Sequence, residues 1–162
     1  MCGLAGYLSP RRYADEVLAA MTTSLAHRGP DAAGYFRDGP VALGHRRLSV
    51  IDIAGSPQPM STPDGDLTII FNGEIYNFRE LRTALGARGH RLRTAGDTEA
   101  LLYAYREYGT RMLEHLQGMF AFALWDRARG RLLLARDRLG IKPLYWALTD
   151  QELLFGSEIK AL

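Results

Sequence analysis

Residues 119–125 read MFAFALW, apolar at both alternating positions. A strand with that pattern is covered on both faces, unlike the half-exposed strands of an open sheet. CGLAGYLS at 2–9 is short, apolar and glycine-bearing, and predicts a buried first strand. AGYF at 33–36 and VALGHRRLSVID at 41–52 read as further strands. LTIIFNGEIYN at 67–77 reads as two β-rich runs around Asn72-Gly73, the strongest short hairpin signal in a sequence. After 118 the strands follow one another directly, over 119–126, 131–137, 142–148 and 152–158, with a turn at RARG. Four segments read as helices. Val17, Leu18, Met21 and Leu25 predict a helix within 13–31, stopped by Gly29-Pro30. Phe78, Leu81 and Leu85 share a face of a second helix, with Gly89 as its C-terminal stop. GDTEALLYAYREYG predicts a third, with Asp97 or Thr98 as N-cap, and TRMLEHLQG a short fourth. The stretch 55–66, rich in proline and glycine, reads as a loop.

Strands on both sides of a central helix pair, many in direct succession, give mostly antiparallel sheets with helices packed on them. The fold class is therefore α+β, a layered sandwich. The pattern leaves the strand order undetermined.

Composition narrows the function classes. A chain of 162 residues with no linker or repeat reads as one domain with a real core. A net charge of +2, with both signs mixed along the chain, gives no footprint for nucleic acid or an anionic membrane. No apolar run approaches the ~20 residues that span a bilayer, and the N-terminus lacks the pattern of a signal peptide. One cysteine forms no internal disulfide, which fits a reducing cytoplasm. The histidines, His27, His45, His90 and His115, lack metal-ligand spacing.

That one cysteine stands directly behind Met1. Cysteine is a small hydrophobe, and an apolar first strand suits it as core. If Met1 is trimmed, however, Cys2 carries a free α-amine beside its thiol. Such an amine titrates near ~7.7–8.0 and serves as base or acid at neutral pH, and a nucleophile activated by its own N-terminus is an established arrangement. Asn72 and Gly73 offer a side-chain amide and a close-approaching N–H for an oxyanion; the dipeptide alone equally spells a type I′ turn. On a strand, one of Arg46 and Arg47 faces inward, where a guanidinium matches a carboxylate; an exposed or ion-paired arginine accounts for them as well. Glu74 and Asp97 are able to hold an ammonium group, and Asp97 is also a plain cap. One cation with two anions is what a free α-amino acid requires.

The pieces fall in a single order: MCG, HRGPD at 27–31, RRLSVID at 46–52, FNGEIYN at 71–77, GDTE at 96–99, LQGMFAFALWD at 116–126, RDRLGIKPLYW at 136–146 and SEIKAL at 157–162. This ordered set resembles the class II, N-terminal-nucleophile glutamine amidotransferase domain of the glutamine-hydrolysing asparagine synthetases, over the whole chain. The resemblance implies a four-layer αββα sandwich. It implies Cys2 as nucleophile once Met1 is removed, with Asn72 and Gly73 as the oxyanion hole. It further implies L-glutamine as substrate, with Arg47 on its α-carboxylate and backbone contacts from Leu48, Ser49, Val50 and Ile51. Glu74 and Asp97 become partners of its α-ammonium, HRGPD a supporting loop, and RDRLGIKPLYW a structural segment. The family continues beyond SEIKAL into an ATP-using synthetase domain, and no glycine- and serine-rich pyrophosphate loop occurs here. The expectation is thus an amidotransferase domain over 1–162, incomplete at its C-terminus and needing no cofactor of its own. ATP and magnesium belong to a synthetase partner that amidates aspartate. A non-catalytic module docked on a synthetase, or an ammonia donor to another acceptor, are the alternatives.

Overall fold

A computed structural model describes residues 1–48 and 57–162. Strands β1 (Gly3–Leu8), β2 (Ala32–Asp38), β3 (Val41–Arg47), β8 (Tyr145–Leu148) and β9 (Leu153–Gly156) form one antiparallel sheet in the order β2-β3-β1-β9-β8. Strands β4 (Met60–Ser61), β5 (Leu67–Ile75), β6 (Gly118–Asp126) and β7 (Arg131–Arg136) form the other, in the order β4-β5-β6-β7. Helix α1 (Asp15–Thr23) covers the outer face of the first sheet; α2 (Phe78–Ala87) and α3 (Asp97–Tyr108) cover that of the second. A 3-10 helix, Gly109–His115, follows α3. The layers run helix, sheet, sheet, helices, so the α+β sandwich read from the pattern is the observed architecture.

The cores follow from alternation. On β6, Phe120, Phe122 and Leu124 pack under α2 and α3, while Ala121, Ala123 and Trp125 face the other sheet. The doubly apolar strand is therefore central to the sandwich, as its sequence requires. Between the sheets Leu4, Leu43, Ile70 and Phe155 meet, all fully buried.

Three expectations need correction. Asn72-Gly73 is not a hairpin turn: β5 runs straight through it and pairs with β6 from Leu67↔Asp126 to Ile75↔Gly118. Glycine is required there by close strand approach, since a Cβ on Gly73 would lie 2.1 Å from the Met119 carbonyl oxygen. Helix α1 is shorter than its spacing implies. After Ser24 the chain continues in three-residue turns, Leu25 to Thr22 and Ala26 to Thr23, which still bury Leu25; Val17 is exposed. Asp97 and Thr98 do not cap α3. The N-cap is Gly96, and Asp97 opens the helix with its carboxylate turned back to β5. The second helix does stop at Gly89. His90 N–H donates to Leu85 and Gly89 N–H to Gly86, a Schellman closure with Gly89 at φ 92°.

Candidate functional site

Each strand that buries a side chain between the sheets carries the same face onward to one end of the sandwich. Leu4 is two residues from Cys2, Leu43 four from Arg47, and Ile70 two from Asn72 and four from Glu74. With a period of two, Cys2, Arg47, Asn72 and Glu74 extend the inter-sheet core to its open end. There they line a cavity of about 230 Å³ together with Met1, Leu48, Gly73 and Asp97. Of the residues singled out from the sequence, Cys2, Arg47, Leu48, Asn72, Gly73, Glu74 and Asp97 thus converge on one space. Ser49, Val50 and Ile51 lie outside the described residues.

Cys2 is half-buried. The Leu48 N–H points at its Sγ from 3.5 Å, and the Leu48 carbonyl oxygen is 3.7 Å away. The turn that follows α1 holds the N-terminus: Arg28 Nε donates to the Cys2 carbonyl at 3.0 Å. The same guanidinium pairs with Glu158, 3.0 Å from Nη1, and Glu158 also meets His27 at 2.9 Å and Lys160 at 3.2 Å. The Arg28 bond, with His27 and Lys160 adding, holds the Glu158 carboxyl down at about 2. Gly29 packs so tightly that a Cβ would meet the Arg46 carbonyl at 2.5 Å, and Arg46 donates to the Gly29 carbonyl at 2.9 Å. Of the two arginines, Arg46 therefore braces the loop and Arg47 faces the cavity.

The edge of β5 supplies donors in a row. β4 ends its pairing at Met60↔Ile69, so among the described residues this edge has no strand beside it from residue 71 onward. The Phe71 N–H donates instead to Gln58 Oε1 at 2.6 Å, and the Ile75 N–H to Asp97 Oδ2 at 3.0 Å. Alternation places the Gly73 N–H on the same edge, between them, facing the cavity. Beside it, Asn72 is 2 % exposed and its Nδ2 has no hydrogen-bond partner among the described residues. A buried amide donor left without an acceptor costs about 1–3 kcal/mol, and both Asn72 and Gly73 line the cavity.

Farther along β5 the lining is acidic, with Glu74 and Asp97. Burial raises the Asp97 carboxyl above the ordinary aspartate value; the Ile75 N–H works against this, and the charge of Glu74 reinforces it. Two carboxylates sharing a wall favour an ammonium ligand. Lys142, 7 % exposed, completes the lining, with Nζ 3.6 Å from Met1 Sδ. Its loop is set by Asp137, which accepts from the N–H groups of Phe120, Ile141 and Lys142.

Sequence reasoning did not single out Arg28, Gln58, Lys142 or Glu158. The signal for Arg28 and Glu158 was present, because each sits inside a quoted motif: HRGPD, read only as a supporting loop, and SEIKAL, to which no role was given. Gln58, in a loop read only for its prolines, carried none.

Comparison with known proteins agrees with this geometry. The family model of the glutamine amidotransferase domain matches residues 1–162. Asparagine synthetase [glutamine-hydrolyzing] 3 of Bacillus subtilis is 45% identical over all of this chain, which covers 27% of it. Asparagine synthetase [glutamine-hydrolyzing] 1 of the same organism is 44% identical, with 26% covered. The chain thus spans about a quarter of the length of these relatives. Among solved structures, the glutamine phosphoribosylpyrophosphate amidotransferase of B. subtilis superimposes with a TM-score of 0.82 over 99% of this chain and 42% of that one, at 23% identity, a likeness of fold. Among the described residues no helix is long and apolar enough to cross a membrane.

Proposed function

The chain belongs to the glutamine amidotransferase domain family, and from that premise and the cavity's geometry we propose that it hydrolyses L-glutamine to glutamate and ammonia with Cys2 as nucleophile. The observation that carries the reading is the buried Asn72 Nδ2, without a partner and lining the same cavity as Cys2.

Glutamine enters with its α-carboxylate on Arg47 and the Leu48 backbone, and its α-ammonium between Glu74 and Asp97. The Cys2 thiolate attacks the δ-carbonyl carbon. A C–S bond forms, and the carbonyl electron pair moves to oxygen, where Asn72 Nδ2–H and Gly73 N–H receive it. The α-ammonium of Cys2 gives its proton to the amide nitrogen as the C–N bond breaks, releasing ammonia. The amine, now neutral, takes a proton from water as that water attacks the thioester. The C–S bond breaks, glutamate leaves and the thiolate returns. Side chains, the N-terminus and water carry every step. Removal of Met1 is a precondition, because a peptide bond leaves the Cys2 nitrogen no lone pair to act as base. Arg28, holding the Cys2 carbonyl, fixes the residue whose nitrogen and sulfur both react.

The names of the Bacillus relatives, glutamine-hydrolysing asparagine synthetases, support an acceptor reading in which the ammonia passes to a synthetase partner that makes asparagine; in this reading ATP and magnesium belong to that partner, which amidates aspartate. The test of the first half is glutamate release by protein lacking Met1, against Cys2→Ala. Release by the former and none by the latter is expected; equal release overturns the mechanism.

A further inference from the structure

His45 is buried between the sheets, 1 % exposed, and the proposed cycle leaves it without a task. It lies on β3 two residues before Arg47, on the same face. Its Nε2 reaches across to the other sheet, 3.1 Å from the carbonyl oxygen of Phe71. A carbonyl only accepts, so Nε2 carries the hydrogen and the ring donates. The Phe71 carbonyl belongs to the peptide unit that leads into Asn72. It also stands on the stretch of β5 edge where, among the described residues, no strand pairs, beside the N–H that Gln58 engages at 2.6 Å. Two side chains, Gln58 and His45, therefore stand in for the missing strand at residue 71. The next N–H along that edge is Gly73.

We propose that His45 is a positioning residue for the oxyanion site. Its Nε2–H fixes the Phe71–Asn72 peptide, so that the Asn72 amide and the Gly73 N–H point at one place. Through the β3 backbone it ties that peptide to Arg47, which sets the distance between oxyanion donors and carboxylate clamp. The inference rests on the glutaminase reading and adds to it a cross-sheet strut that touches no substrate atom. A free β5 edge tilts its peptide planes; a misplacement of about 1 Å costs up to about 10²-fold in rate.

The experiment uses the full chain without Met1 and compares wild type, His45→Leu and His45→Gln. Glutamine kcat and KM are measured, together with the rate at which iodoacetamide alkylates Cys2. The chain has one cysteine, so the labelling is unambiguous. Alkylation needs the thiolate but no oxyanion hole, and a merely structural role would not separate it from turnover. For His45→Leu a kcat loss between about 10- and 100-fold is expected, with KM and the alkylation rate close to wild type. For His45→Gln, whose amide restores a donor, most of the kcat returns. Wild-type kcat in a folded His45→Leu overturns the proposal, as does an equal fall in kcat and alkylation, or failure of His45→Gln to recover. If His45→Leu does not fold, His45→Asn, whose amide is one methylene shorter, replaces it, and equal kcat for Asn and Gln overturns the proposal. Wild-type protein no faster than Cys2→Ala is a different result, since it removes the glutaminase reading itself.

Discussion

Asn72 and Asp97 are both held in states that a ligand would relieve. For Asn72 the state is a buried donor without an acceptor. Asn72→Ala removes half of the proposed oxyanion pair, so glutamine turnover should fall by about 10²–10³-fold. The alkylation of Cys2 should be left near wild type, and paired measurements of the two rates check this. For Asp97 the state is a carboxylate whose pKa burial has raised. An ammonium beside it stabilises the charged form, so glutamine binds best when Asp97 is ionised. As pH falls through that raised value Asp97 takes up a proton and the ammonium loses its partner. Glutamine KM should therefore climb on acidification at a pH above the ordinary aspartate value of 3.8. In Asp97→Asn the KM should be high throughout and this inflection absent. A KM profile from neutral to acidic pH in both proteins measures it.

Between elements, the site depends on contacts that join distant segments to the first strand. Arg28, in the turns after α1, clamps the Cys2 carbonyl, and Glu158, after β9, clamps Arg28. Arg28→Ala should slow both glutamate release and Cys2 alkylation, unlike Asn72→Ala, because it loosens the nucleophile rather than the oxyanion donors. The same two rates, measured on Arg28→Ala, test that. Much of this level was legible in the sequence. The period-two pattern of CGLAGYLS, VALGHRR and LTIIFNGE gives the strands, and it also says that Cys2, Arg47, Asn72 and Glu74 share parity with Leu4, Leu43 and Ile70. Local rules failed where a distant strand decides. Asn72-Gly73 satisfies hairpin chemistry, but the Met119 carbonyl, 2.1 Å from a Cβ that Gly73 lacks, makes it a strand position. Asp97 satisfies capping chemistry, but the Ile75 N–H at 3.0 Å draws its carboxylate to the sheet. Gln58 at Phe71 and Arg28 at Cys2 span separations that no window along the chain contains.

At the scale of the whole molecule, the sandwich trades stability for the placement of its polar groups, and pH exposes the trade. Burial holds His45 down at about 4 from its usual 6.5, with the charge of Arg47 adding to the effect and the Phe71 bond opposing it. In the unfolded chain the ring takes a proton near 6.5; in the folded one it stays neutral until near 4. Between those values the unfolded state binds more protons, so stability is fully present above the upper value and is lost as pH falls toward the lower. A shift of that size corresponds to on the order of 3 kcal/mol. Glu158, held at about 2 against an ordinary 4.5, acts in a lower window, where its contribution fades as pH falls through that range. Asp97 works in the opposite sense, because its raised pKa favours the folded state on acidification. The three are separable by substitution. Denaturant unfolding of wild type and His45→Gln, followed from pH 7 down to 4, should give curves that approach each other on acidification. Wild type should lose on the order of 3 kcal/mol that the variant keeps. Parallel curves would mean that the ring takes up its proton in the folded protein at its ordinary 6.5, and a ring that charges so readily could not serve as the neutral strut between the sheets.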